Sequence, residues 1–152
     1  MEKFRSVEEI LDFAIEKEEE AYQFYTDWAG RLEDPTMREV FREFAQQEMG
    51  HKEKLLRVKE GKISLTVSPE GVPDLKISDF LVEIKPHAAT SYQEALIVAM
   101  QREKASFRLY NDLASRAEDE ALRNLFLALA QEEARHKLRL EIAYDDLLYP
   151  EG

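Results

Sequence analysis

Glu18, Glu48 and His51 recur 85 positions later as Glu103, Glu133 and His136. Each half reads Glu, a second Glu thirty positions on, then His three positions further. Four carboxylates and two imidazoles are donors that suit iron or manganese, and the donor types alone do not choose between them. The i, i+3 spacing of Glu48/His51 and of Glu133/His136 puts each pair on one face of a helix. If all six met in an apolar core they could not all stay charged unaided. Two like charges 4 Å apart repel by roughly 4 kcal/mol at an effective dielectric near 20. Either some carboxyls keep protons, with raised and coupled pKa values, or cations neutralise them. The chemistry expected of this set is therefore a two-metal centre with Glu18, Glu48, His51, Glu103, Glu133 and His136 as ligands. A lone Glu-x-x-His is weak evidence, and Glu18 sits in the charged run Glu16–Glu20 that would ordinarily be a solvated face. The duplication gives the pattern its weight.

Such a set needs four helices to present it. Ser6-Val7-Glu8-Glu9 reads as a capping box, and Ser91-Tyr92-Gln93-Glu94 repeats it 85 positions later. Helices are expected near 6–31, 36–60, 91–116 and 120–147. Residues 6–55 and 91–140 share 19 identities in 50 aligned positions, which implies two copies of one helical hairpin. Steps of three and four along each helix trace an inward seam. The first reads Leu11, Ala14, Glu18, Ala21, Tyr25, Trp28, Leu32, and the second Met37, Phe41, Phe44, Glu48, His51, Leu55, Val58. The third reads Leu96, Ala99, Glu103, Ser106, Tyr110, Leu113, Ala117, and the fourth Leu122, Phe126, Leu129, Glu133, His136, Leu140, Ala143. Every seam is apolar at both ends and polar in the middle. Glu18 and Glu48 are equidistant from the turn at 33, and Glu103 and Glu133 from the turn at 118, so each antiparallel pair lies level. Tyr25 and Tyr110 follow Glu18 and Glu103 by two turns. They are candidate catalytic residues acting through a metal-bound carboxylate, or else core tyrosines that need a hydrogen-bond partner.

The expected fold is all-α: one domain over 1–152, a four-helix bundle of two hairpins (6–60 and 91–148) joined by a long crossover (61–90). A crossover of thirty residues at about 3.3 Å each can span a helix of about 38 Å. Within it Ile63–Val67 leans toward strand, residues 77–82 suggest a short helix or turn, and His87 beside Pro86 reads as a loop residue. The net charge of −11 argues against nucleic acid and anionic membranes as partners. The absence of cysteine rules out thiolate zinc, disulfides and rubredoxin-type iron in this chain. No apolar h-region follows the N-terminus and no apolar run reaches membrane length, so a cytoplasmic protein is expected. Ile10, Phe13, Phe24, Ile97 and Phe107 fall off the seams, which suggests a homodimer, cover for the bundle flanks or packing on the crossover.

At these residues the chain resembles the ferritin-like di-iron superfamily, in its rubrerythrin-type branch. Glu18-x-x-Ala21-x-x-Phe24-Tyr25 and Ala45-Gln46-Gln47-Glu48-x-x-His51 are similar to that branch's motifs. So are Glu103-x-x-Ser106-x-x-Leu109-Tyr110 and Ala130-Gln131-Glu132-Glu133-x-x-His136. The resemblance implies two iron ions, with manganese or a mixed pair as the variant. It makes Glu48 and Glu133 bridging, Glu18 and Glu103 terminal, and gives His51 and His136 one metal each. It implies an oxidoreductase that reduces peroxide or O2 with electrons from an external donor protein, or a ferroxidase that handles iron, or a metal-stabilised bundle without turnover. Two departures stand out. The cysteine-rich electron-transfer domain of rubrerythrins has no counterpart, and Ser106 stands where they carry a further Glu. The remaining set of four Glu and two His looks like the bacterioferritin ferroxidase centre.

Overall fold

A computed structural model describes residues 7–61, 91–117 and 119–150. Four helices occupy these residues: α1 (Val7–Arg31), α2 (Pro35–Lys59), α3 (Tyr92–Arg116) and α4 (Glu120–Leu148). The all-α architecture and four-helix bundle expected from the pattern are what the chain adopts. The capping box at Ser6 and the crossover over 62–90, with Ile63–Val67, residues 77–82 and His87, lie outside the described residues.

Local chemistry explains the helix ends. Asp34 caps α2 by accepting from the Thr36 amide at 3.2 Å, and Pro35 presets the first helical φ. Asp119 does the same for α4 from the Ala121 amide at 3.0 Å. Ser91 caps α3, its hydroxyl accepting from the Glu94 amide at 3.2 Å and donating to the Glu94 carboxylate at 3.1 Å. After α2, Gly61 takes φ +79°, a left-handed conformation that glycine adopts without the steric cost of a Cβ. Each hairpin turn is also tied by an arginine. Arg38 donates to the Leu32 carbonyl at 2.9 Å, and Arg123, its repeat partner, donates to the Ala117 carbonyl at 2.8 Å.

The two hairpins bury one seam each way. Every seam residue expected from the sequence is buried except Ser106, which is half-buried. The core divides in two. At one end the start of α1 (Ile10, Leu11, Ala14) meets the end of α2 (Leu55, Val58), the end of α3 (Leu113, Ala114) and the start of α4 (Leu122, Phe126). At the other, Tyr25, Trp28 and Leu32 of α1 meet Met37 and Phe41 of α2, Leu96 and Ala99 of α3 and Leu140 of α4. Thus α1 runs parallel to α4, and α2 to α3. α2 ends where α3 does, so the chain between them returns from one end of the bundle to the other, as a long-crossover bundle requires. Ile10 belongs to this core, not to a flank: the buried stripe is wider than an a/d seam and also takes in Ala29, Ala45, Val98, Leu109 and Ala130. The largest of these apolar side chains contribute roughly 1.5–3 kcal/mol each by burial.

Candidate metal centre

Between the two apolar cores lies a single polar layer. Glu18, Glu48, His51, Glu103, Glu133 and His136 are all buried, none more than 3% exposed. The structure brings all six together. One atom from each of Glu18, Glu48, His51 and Glu133 falls within 4.8 Å of the others, and one from each of Glu48, Glu103, Glu133 and His136 does likewise. The two quartets share Glu48 and Glu133. Glu18 comes from α1, Glu103 from α3, and the Glu/His pairs from α2 and α4.

The rings are aimed. His51 Nδ1 lies 2.9 Å from Glu18, 3.1 Å from Glu133 and 3.2 Å from Glu48. His136 Nδ1 lies 3.5 Å from Glu103, 3.8 Å from Glu48 and 3.9 Å from Glu133. Each Nε2 points away from the cluster. That of His51 meets Glu132 at 2.8 Å, and that of His136 is within hydrogen-bond distance of Gln47. Phe44 lies under His136, the ring centroids 4.0 Å apart. The tyrosines cross between hairpins. Tyr25 of α1 donates to Glu103 of α3 at 2.5 Å, and Tyr110 of α3 hydrogen-bonds Glu18 of α1. Burial and the neighbouring carboxylates push both phenols well above their ordinary range, so they stay protonated donors.

The electrostatics are those of a site built around cations. Burial, reinforced by the Glu48 charge, raises Glu18 to about 8. Burial also raises Glu103, with the Glu48 charge adding to it, and it raises Glu133 strongly, with Glu103 and Glu48 adding. Burial opposes ionisation of Glu48 as well, but its close polar contacts with His51 and Glu133 outweigh it and hold that carboxyl low. Burial alone would lower His51, yet the Glu18 and Glu48 carboxylates overcome it and lift the ring to about 11. His136 is raised in the same way, mainly by Glu103. Hydrogen bonding within the cluster is incomplete. Glu18 Oε2, Glu48 Oε1, Glu103 Oε2, both oxygens of Glu133 and Nδ1 of both histidines make no hydrogen bond among the described residues. Buried polar atoms left unpaired are costly. Seven such atoms facing one another, with their outer neighbours satisfied, fit two divalent ions in donor number and type.

A cavity of about 30 Å³ reaches this layer between α1 and α3. Phe13, Lys17, Arg102 and Ser106 line it, and Glu48 and Glu103 form its floor. It has room for about two water-sized molecules. Ser106 thus stands at the wall of an opening.

Sequence reasoning missed the outward partners Gln47 and Glu132 and the turn arginines Arg38 and Arg123. The signal was present, since each pair is offset by the same 85 positions as the ligands.

Fold and site together define a ferritin-like carboxylate bundle. The rubrerythrin family model matches residues 9–144, and the chain belongs to the rubrerythrin family. Two solved structures share the fold. A hypothetical protein from Pyrococcus furiosus is 24% identical with a TM-score of 0.76, covering 97% of this chain and 94% of its own. A Thermotoga maritima protein, described as a ferritin-like diiron-carboxylate protein, is 21% identical with a TM-score of 0.76, covering 96% of this chain and 99% of its own. No curated protein matches the sequence. No helix among the described residues is long and apolar enough to cross a membrane.

Proposed function

We propose that the protein is a non-haem di-iron oxidoreductase, with manganese or a mixed pair as the alternative filling. It reduces peroxide or O2 with electrons from an external donor protein. The observation that carries this reading is the pair of overlapping buried quartets sharing Glu48 and Glu133. In it Glu18, Glu48, His51, Glu103, Glu133 and His136 would hold the two ions, with Glu48 and Glu133 common to both positions. When bound, two ferrous ions would supply two electrons to the oxidant.

The residues do the rest. Tyr25 and Tyr110 orient Glu103 and Glu18 by donating to them, and each keeps a proton close to the site. Trp28, Phe41, Leu55 and Phe126 sit in the apolar cores above and below and exclude water. The cavity beside Ser106 has room for a ligand the size of peroxide or O2. These 152 residues hold no cysteine to relay electrons, which is in keeping with an external donor protein. A homodimer is proposed, with the exposed Phe107 of α3 and Leu127, Leu138 and Ile142 of α4 as the surface a second copy covers.

The test begins with anaerobic reconstitution and elemental analysis, expected to give two irons per chain. The diferrous protein is then mixed separately with hydrogen peroxide and with O2 in a stopped-flow instrument. Fewer than one metal per chain sinks the metal centre, and absence of oxidation by either reagent sinks the redox reading.

A further inference from the structure

The six ligands are symmetric under the repeat, but their outward partners are not. Positions 47 and 132 are equivalent, each immediately preceding a shared Glu. One is an amide and the other a carboxylate. Both reach across to the opposite hairpin, Glu132 to His51 and Gln47 to His136. With Nδ1 given to a metal, each ring carries its hydrogen on Nε2 and donates it outward. A carboxylate acceptor draws that proton further than an amide does, leaving more electron density on Nδ1.

Cations do not separate the halves: Arg102, next to Glu103, has Lys17, next to Glu18, as its repeat counterpart, and both line the cavity and face Glu20. One ring neighbour does differ. Phe44 stacks on His136, whereas its repeat counterpart is Leu129. The first quartet thus has an added anion behind its imidazole, and the second a neutral amide.

We infer that Glu132 and Gln47 rank the two metal positions: the one held by Glu18 and His51 fills first and keeps its ion more tightly than the one held by Glu103 and His136. Glu132 is thereby a positioning residue acting through His51. The inference rests on the two-metal reading above. It adds a preference order that the ligand set alone does not contain.

Cobalt(II) is the probe, because its visible bands report each binding step without turnover. Metal-free protein titrated with cobalt(II) and followed by absorption and calorimetry should bind two ions in two steps. Loss of such an outer partner typically weakens a metal site 10–100-fold. Glu132→Gln should weaken the first step by that factor and merge the two. Gln47→Glu should instead tighten the second step and merge them from the other side. The double variant Q47E/E132Q should restore two separate steps with the order exchanged. Both positions lie at or near the surface, and the amide and carboxylate are nearly isosteric, so folding is not threatened. Fewer than two ions bound by the wild type overturns the two-metal reading and this inference with it. Two ions bound, with steps equal in the wild type or unmoved by either single variant, overturns this inference alone.

Discussion

Chelator-treated, metal-free protein should lose stability as pH rises from 6 to 8, a range in which ordinary surface carboxylates no longer titrate. The cause is Glu18, whose carboxyl is lifted from 4.5 to about 8, first by burial and then by the Glu48 charge. A folded-state value above the unfolded one means a contribution that is complete below pH 4.5 and is lost as pH climbs through 8. Between these limits the folded chain holds a proton that the unfolded chain lacks, and stability falls by about 1.4 kcal/mol per pH unit. Because the slope halves as pH reaches 8, Glu18 alone costs about 2 kcal/mol over the chosen window. At ~2–4 °C per kcal/mol for a chain of this size, the melting midpoint should drop by ~4–8 °C. His51, raised from 6.5 to about 11, acts in the same direction, its contribution complete below 6.5 and gone above 11. It shares a contact with Glu18, so the two are not summed. Glu48 is held low and loses its contribution only in acid, outside the window. Circular dichroism melts at pH 6, 7 and 8 and fixed ionic strength measure the slope. Glu18→Gln, which cannot ionise, should make it shallower, with His51 supplying the slope that remains. A midpoint that stays level or rises with pH in the metal-free wild type would refute the reasoning.

Three further outcomes follow from named contacts. Loading with manganese(II) at pH 7 should release protons, because ions displace them from His51 Nδ1 and Glu18; calorimetry in buffers of differing ionisation enthalpy counts them, and a count of zero contradicts the raised values. Tyr25→Phe removes the 2.5 Å bond to Glu103 and should cost about 1.5–3 kcal/mol in urea unfolding of the metal-free protein. Asp34→Ala should cost about 1 kcal/mol through loss of the α2 cap, with metal content unchanged, which separates the fold's punctuation from its chemistry.

Much of this was legible in the residues. Period-3.6 spacing told which face of each helix turns inward, and the common distance from the two turns told the height of each ligand. Both are local properties of a helix, and the burial of Glu18, Tyr25, Glu103 and Tyr110 follows from them. What periodicity does not encode is which helix stands opposite. The bond from Tyr25 to Glu103 spans 78 positions, and that between His51 and Glu132 spans 81. Such pairs depend on how hairpins dock, which is why the pattern gives no partner for Glu132 or Gln47. Ile10 was misjudged for a related reason. A narrow seam describes two helices meeting along one line, while a helix with two neighbours buries a broader arc. The roles of Arg38 and Arg123 are not written in the periodicity either, because the carbonyls they satisfy are presented only once each turn has formed.

The polar layer between two apolar cores has a consequence for alignment. Four seams of Leu, Ala and Phe are nearly interchangeable from turn to turn, and apolar packing alone would tolerate a helix slid by one turn. Such a slide would carry Glu18 or Glu103 into Leu, Trp or Phe, and would leave a histidine facing carbon instead of carboxylate. Burying an unpaired charge costs several kcal/mol, more than an exchange of one methyl-bearing neighbour for another returns. The layer therefore acts as a key cut at one depth, fixing the longitudinal setting of all four rods before any ion arrives.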